Sequence, residues 1–195
     1  MAHSPDSIVL ASASPRRSEL MALAGIVCEV VPADICEDAL PGELPADHVM
    51  RLSREKSAAV AAAHGGRFFI GADTIVTLED DILGKPVDGA DAFAMLRRLS
   101  GRSHEVITGF TVLDSRSGSR TTRAIHTEVT FKVLTDKEIA AYIATGCPMD
   151  KAGAYAIQGG ALHFVRAING SYTNVVGLPM TELYEELQAM GAVES

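Results

Sequence analysis

Two serines and two arginines stand close together near the start of the chain, in the segment SASPRR at residues 12–17. An apolar run ends before them and a helical pattern follows, so Ser14 is predicted to be the N-cap and Pro15 the first helical residue. Arg16 and Arg17 then fall in the first turn, where the helix macrodipole favours anions. Hydroxyls, backbone N–H groups and guanidiniums together bind phosphate. The spacing leaves two interpretations open: a phosphate site, or an ordinary cap whose arginines extend into solvent.

Lys56 interrupts the apolar face of a predicted helix. It lies seven residues from Val49 and four from Leu52, so all three side chains share one stripe of the helix. A lysine that snorkels at the edge of a core face is the commoner explanation for such a position. A lysine directed into a phosphate pocket is the alternative.

Asp73 interrupts the predicted strand RFFIGADTIVTL at residues 67–78. A buried carboxylate costs free energy unless it is paired or bound to a metal. The small residues Gly71 and Ala72 before it allow a ligand or another backbone to approach closely. An aspartate that bonds local amides at a strand end is the alternative, but apolar residues continue beyond this position. The pattern therefore favours a metal or ligand role for Asp73.

Three further signals are weak when each is taken alone. They are Glu37 in an acidic loop, Lys85 after a turn, and the run at residues 150–160, DKAGAYAIQGG. Three histidines lack a shared metal-ligand spacing and are predicted to be structural: His104, His126 and His163.

These residues need a framework of alternating strands and helices to position them. Strands are predicted at residues 7–11, 26–31, 67–78, 104–113 and 121–134, and helices at 15–24, 46–63, 90–99, 136–144 and 180–190. The last two strands read as an antiparallel hairpin with its turn at 115–119, and residues 146–170 form a glycine-rich region. The pattern predicts an α/β fold with a mixed sheet.

Composition limits the kind of protein this chain encodes. Its 195 residues fit one domain or two closely fused lobes, and its net charge of −8 argues against a general nucleic-acid binder. No apolar stretch approaches the ~20 residues that span a bilayer, so a membrane role is not expected. Three cysteines without a CxxC pair indicate free thiols in a reducing cytoplasm. A small phosphorylated ligand remains compatible with the acidic charge, since it needs only a local cluster of Lys and Arg or a divalent cation held by carboxylates.

Seven segments in sequence resemble the Maf family of nucleotide pyrophosphatases over nearly the whole chain. They are LASASPRRSEL, REKSAAV, IGADTIV, LGKP, LRRLSGRSHEVITG, DKAGAYAIQG and INGSYTNVVGLP. The resemblance implies one domain over residues 1–195, with an elongated mixed central sheet flanked by helices, as in inosine triphosphate pyrophosphatases. It also implies a homodimer. Cys147 departs from the family pattern, in which many relatives carry an acidic residue before the proline.

The resemblance further implies cleavage of a nucleoside triphosphate between its α- and β-phosphates, giving the monophosphate and pyrophosphate with Mg²⁺ or Mn²⁺. The family's functional positions fall on Ser12, Arg16, Glu37, Lys56, Asp73, Lys85 and Gln158. We expect Glu37 and Asp73 to hold the cation, and Asp73 also to orient or deprotonate the attacking water. Three cations are expected to neutralise the triphosphate: Arg16, Lys56 and Lys85.

The segment GAYAIQG resembles the dTTP/UTP branch of the family. We expect Gln158 to select the base, since its amide can donate to a uracil-type carbonyl and accept from N3–H. The other expected substrate-binding residues are Ser12, Ser14, Arg16 and Thr74. Two alternatives remain: a purine-directed pyrophosphatase acting on inosine or xanthosine triphosphate, and a non-enzymatic nucleotide sensor that regulates cell division.

Overall fold

The computed structural model describes residues 7–79 and 81–194. In that part of the chain seven strands occur: β1 (Ile8–Ala11), β2 (Cys28–Val30), β3 (Phe68–Leu78), β4 (Asp81–Leu83), β5 (Ser103–Asp114), β6 (Arg120–Phe131) and β7 (Val165–Asn169). The α-helices of the same part are α1 (Pro15–Leu23), α2 (Pro45–Ala63), α3 (Gly89–Leu99), α4 (Asp136–Ile143), α5 (Tyr172–Val176) and α6 (Met180–Ala189). Short 3₁₀ helices lie at Ala152–Ala154 and Leu162–Phe164.

The strands form one mixed sheet in the order β2-β1-β3-β5-β6-β7, with β4 added beside β3. β1 runs parallel to β2 and β3, whereas the pairs β3–β4 and β6–β7 are antiparallel. β5 and β6 also run in opposite directions, because Ser103 Oγ lies 2.8 Å from Thr130 Oγ1 and Thr111 Oγ1 lies 2.9 Å from Thr122 Oγ1. The predicted α/β class, mixed sheet and antiparallel hairpin are confirmed.

The first strand and helix follow directly from their sequence. All four residues of β1 are buried, as expected for a strand between two parallel neighbours. Helix α1 begins at Pro15, whose fixed φ suits a first helical residue. It ends at Leu23, and Gly25 then adopts a left-handed φ of +73° that other residues rarely take.

Two glycines let α2 lie directly against the sheet. A Cβ added at Gly71 would come 2.1 Å from the Ser53 carbonyl oxygen, and one added at Gly109 would come 2.4 Å from that of Val49. Ser53 Oγ also lies 2.8 Å from Thr111 Oγ1 on β5. This close contact places the buried face of α2, including Lys56, over β3.

The chain divides into two compact units. Unit 1 comprises the chain up to Asp73, Thr108–Ile125, and the chain from Gly177 onward; unit 2 comprises Thr74–Ile107 and His126–Val176. Each unit has fully buried large side chains, such as Leu10, Met21, Phe69 and Phe110 in unit 1 and Leu96, Leu99, Phe131 and Phe164 in unit 2. The single domain over residues 1–195 stays a prediction.

Several boundaries differ from the sequence prediction. β2 is shorter than expected, and the structure adds β4, β7 and α5. β6 ends at Phe131 rather than at residue 134, because Lys132 leaves the ladder: its N–H donates to Phe164 and its carbonyl accepts from Gly101. No helix in the described ranges is both long and apolar enough to cross a bilayer.

Candidate active site

Arg17 holds the turn between β1 and α1. Its side chain is buried, with 8% of the residue exposed. Nη1 donates to Ser12 Oγ at 3.0 Å and to the Ala72 carbonyl at 2.8 Å, while Nε donates to the Gly177 carbonyl at 2.7 Å. Burial lowers the pKa of Arg17, and the nearby charge of Asp73 acts to raise it. The interpretation in which both arginines extend into solvent is therefore wrong for Arg17.

The helix start beside Arg17 keeps its positive potential. Ser14 stands at the N-cap position as predicted, but its side chain makes no capping hydrogen bond. Its backbone N–H instead donates to Ser12 Oγ at 3.2 Å. The first turn contains no acidic residue, and the half-buried Arg16 adds a second cation there. Such a turn favours an anionic ligand.

Lys56 forms the centre of the charged cluster. Only 7% of the residue is exposed, so its ammonium does not snorkel to solvent. Nζ lies 2.7 Å from Asp73 Oδ1 and 2.7 Å from Glu37 Oε1. The two carboxylate oxygens are therefore separated by at most about twice that distance. The sequence-predicted residues Glu37, Lys56 and Asp73 are brought together.

The two carboxylates differ in their surroundings. Asp73 is buried on β3, where the adjacent ammonium offsets the cost of burying its charge. Glu37 lies on the loop between β2 and α2, and half of its side chain is exposed. The carbonyl of Ala72, the neighbour of Asp73, accepts a hydrogen bond from Arg17 Nη1. This bond links the turn between β1 and α1 to the cluster of Lys56 and the two carboxylates. The cluster has a protein side at Asp73 and a solvent side at Glu37.

The donor set fits a divalent cation that shares its coordination with a substrate. Mg²⁺ is usually held by one or two carboxylates, with water and substrate phosphates completing its shell. Within residues 7–79 and 81–194, no group of three or more His, Cys, Asp or Glu side chains is placed to hold a metal. Glu37 and Asp73 already share one cation, the Lys56 ammonium, and so supply the carboxylate pair of such a site.

The remaining sequence-predicted residues belong to unit 2. Thr74 is half-buried on β3, Lys85 is exposed after β4, and Gln158 is exposed in a turn. The segment before Gln158 is tightly constrained. Gly153 has a φ of +66°, and a Cβ there would come 2.9 Å from a Val76 methyl carbon.

Sequence reasoning missed the buried position of Arg17. A usable signal existed, because Leu20 and Met21 lie three and four residues further along α1 and are both buried. Residues at these spacings share one helix face, so Arg17 had to face the interior.

Comparison with known proteins identifies close relatives. The profile of the family described as "Maf-like protein" matches residues 7–190. A dTTP/UTP pyrophosphatase of Geobacter sulfurreducens is 60% identical over 186 residues, which cover 95% of this chain and 97% of that protein. A dTTP/UTP pyrophosphatase of Geotalea uraniireducens is 58% identical over 194 residues and is matched over 100% of both chains. One from Anaeromyxobacter dehalogenans is 49% identical over 186 residues, with 94% of each chain covered.

Proposed function

Since this chain belongs to the Maf-like protein family, we propose that it is a nucleoside triphosphate pyrophosphatase acting on dTTP and UTP. The products are the nucleoside monophosphate and pyrophosphate. The observation that carries the proposal is the buried Lys56 ammonium between Asp73 and Glu37, joined through Arg17 to a helix start suited to phosphate. The names of relatives at 58–60% identity support the choice of substrate.

The residues of the cluster fit the needs of hydrolysis at the α-phosphorus. Attack by water places charge on the phosphoryl oxygens and on the leaving pyrophosphate, so positioning and electrostatic stabilisation dominate. A divalent cation held by Glu37 and Asp73 supplies charge neutralisation at the phosphates. Asp73 orients the water and accepts its proton, while Arg16, Lys56 and Lys85 neutralise the triphosphate.

Product analysis tests this function directly. The purified protein is incubated with common and modified purine and pyrimidine triphosphates in Mg²⁺ or Mn²⁺, and the products are separated. We expect the products from dTTP and UTP to be the nucleoside monophosphate and pyrophosphate. Release of diphosphate plus phosphate, preference for inosine triphosphate, or binding without turnover would each contradict it.

The choice of base is assigned to the Gln158 amide. Cytosine reverses the donor and acceptor at the two ring positions that Gln158 contacts in this proposal, which costs ~1–3 kcal/mol, or about one to two decades in kcat/KM. The ratio of kcat/KM for UTP to that for CTP is measured in the wild type and in Gln158→Ala. The role is refuted by a wild-type ratio near one or by a ratio that the substitution leaves unchanged.

Three further properties belong to the same proposal: Mg²⁺ or Mn²⁺ as cofactor, a homodimer, and a cytoplasmic location. The Glu37 and Asp73 pair supports the cation, and the free thiols of Cys28, Cys36 and Cys147 fit a reducing compartment. The homodimer rests on the family resemblance alone. Light scattering tests it, since a dimer has twice the chain mass of 20.6 kDa.

A further inference from the structure

Glu37 lies on a loop that has no helix or strand of its own. This loop joins β2 to α2, and residues 36–42 are all exposed. Such a segment does not by itself fix a carboxylate, because few buried contacts restrain its backbone. Yet Glu37 Oε1 lies 2.7 Å from Lys56 Nζ. Other contacts must hold the loop in place.

Arg51 on α2 supplies those contacts. Its Nε donates to Glu43 Oε1 at 2.6 Å and its Nη2 donates to Glu43 Oε2 at 2.8 Å, which is a bidentate guanidinium–carboxylate pair. Nη2 also donates to the Asp38 carbonyl at 3.0 Å. One guanidinium therefore holds the loop at Glu43, beside the start of α2, and at Asp38, the residue after Glu37.

Glu43 adds a contact inside the loop. Its Oε2 accepts a hydrogen bond from the Leu40 N–H at 3.1 Å and lies 3.0 Å from His48 Nδ1. The Arg51 hydrogen bonds hold the pKa of Glu43 at about 2, far below its ordinary value of 4.5. Glu43 is therefore a carboxylate throughout the neutral pH range, and its side chain is buried.

We propose that Arg51 and Glu43 are positioning residues that hold Glu37 against Lys56 and so build the solvent side of the active site. This set of contacts is called the Arg51–Glu43 tether. The role assigned to Glu37 rests on the proposed function, whereas restraint of the loop by the tether does not.

The chain offers a matched control on the same guanidinium. Arg51 Nη1 also lies 3.2 Å from Glu55 Oε2, but Glu55 is four residues further along α2, and among the described residues no hydrogen bond or ion pair joins it to the loop. Removing the Glu55 charge therefore changes the surroundings of Arg51 without releasing the tether. Arg51→Lys keeps the positive charge but loses the planar fork of donors that reaches both Glu43 and Asp38.

Amide hydrogen exchange over residues 33–43 tests the tether without any nucleotide. In Arg51→Ala we expect exchange at the Leu40 amide at least ~10-fold faster than in the wild type, because its carboxylate acceptor loses its anchor. Arg51→Lys and Glu43→Gln are expected to give intermediate rates, and Glu55→Gln a rate within about twofold of the wild type. Unchanged exchange in Arg51→Ala and Arg51→Lys would overturn the tether.

A double-mutant cycle tests whether the tether acts through Glu37. We expect Arg51→Ala to lower kcat/KM by about 10- to 100-fold in the wild-type background, but by less than about twofold when Glu37→Gln is already present. Independent effects that multiply would overturn the positioning role. If the wild type hydrolyses no triphosphate, the proposed function fails, while the exchange measurement still decides the tether.

Discussion

At the scale of single residues, the equal distances from Lys56 Nζ to Asp73 and Glu37 set the chemistry of the cluster. A buried ammonium needs compensating charge, and two carboxylates provide it. The same carboxylates are the proposed cation ligands. A substitution that removes one carboxylate charge but leaves Lys56 a partner should therefore alter turnover more than it alters the fold.

Asp73→Asn is expected to lower kcat by at least ~100-fold, because it removes the proposed base and cation ligand while preserving side-chain volume. Lys56 keeps Glu37 as a partner, so the melting temperature should stay close to that of the wild type. Steady-state kinetics and thermal unfolding measure the two quantities. Near-normal turnover in Asp73→Asn would refute the assignment.

Substitutions of the two neighbouring arginines should affect different properties: Arg17→Ala the stability of the fold, and Arg16→Ala the activity. Arg17→Ala leaves the Ala72 and Gly177 carbonyls without their guanidinium donor, so we expect a loss of ~3–5 kcal/mol in the free energy of unfolding. Arg16 is half-buried, and Arg16→Ala should change that free energy by less than ~0.5 kcal/mol while lowering kcat/KM. Urea unfolding and kinetics on both variants decide between these roles, and equal losses of stability would contradict them.

His104 should make stability depend on pH. It is buried on β5, with Nε2 2.8 Å from the Tyr155 hydroxyl, and burial lowers its pKa to about 4 from the ordinary 6.5. The unfolded chain therefore takes up a proton first as the pH falls, so this contribution is present above 6.5 and is lost between 6.5 and 4.

From about pH 7 to about pH 5, the wild type should lose ~2 kcal/mol more unfolding free energy than His104→Gln, which lacks this titration. Urea unfolding of both proteins at the two pH values measures the difference. Parallel losses in the two proteins would show that His104 does not titrate as described.

Residues that break an apolar pattern could be found from the sequence, and residues in charged surroundings could not. Lys56 and Asp73 stood out because each lies among buried apolar neighbours. Arg51 shares its helix face with polar and charged residues three and four positions away, and Glu43 lies in a loop, so the usual interpretation of both is a solvated surface. Their contacts depend on where the loop returns to α2, and local spacing does not contain that information.

At the scale of elements, the close contact between α2 and the sheet depends on glycine residues, which have no Cβ. Gly71 lies where the backbone of α2 approaches β3, next to the segment that carries Asp73. Any Cβ there would force the helix and strand apart, and Lys56 would move with the helix.

Gly71→Ala should therefore cost at least ~3 kcal/mol in the free energy of unfolding, since a 2.1 Å contact with backbone is not relieved by a side-chain rotation. Gly84→Ala is the matched control, because a Cβ at Gly84 has no neighbour within 4 Å among the described residues. Denaturant unfolding of both variants gives the comparison. Equal stability of the two would mean that the close contact is not required.

Helices were predicted more accurately than short strands. Proline marks the first residue of α1 and of α2, and the predicted starts fall within one residue of the observed ones. β4 has three residues, and β7 has no regular alternation of buried and exposed positions. Such strands exist because β3 and β6 pair with them, so their own sequences carry little signal.

At the scale of the whole molecule, the hydrophobic core stabilises the fold independently of the charged cluster. The largest fully buried side chains among the described residues are phenylalanine, leucine, methionine and isoleucine, which need no ion. The buried Asp73 is compensated by Lys56. The proposed cation is therefore needed for turnover rather than for folding.

Chelation with EDTA should abolish hydrolysis of dTTP and UTP while shifting the melting temperature by no more than ~2 °C, since the described residues form no metal cage of three or more His, Cys, Asp or Glu ligands. Thermal unfolding and product assays before and after chelation, followed by Mg²⁺ addition, test both statements. Unfolding on chelation would assign the ion a structural role. Undiminished turnover would remove it from the reaction.

The Arg17–Gly177 hydrogen bond spans 160 residues of sequence and thereby sets an order of events during protein synthesis. Chains grow at about 5–20 residues per second, so the Gly177 carbonyl is made roughly ten to thirty seconds after Arg17. The third segment of unit 1, which begins at Gly177, arrives at the same late stage. A nascent chain thus carries the whole SASPRR turn long before the Gly177 carbonyl completes the contacts of Arg17, and nucleotide binding at that turn should begin only after residue 177 has been made.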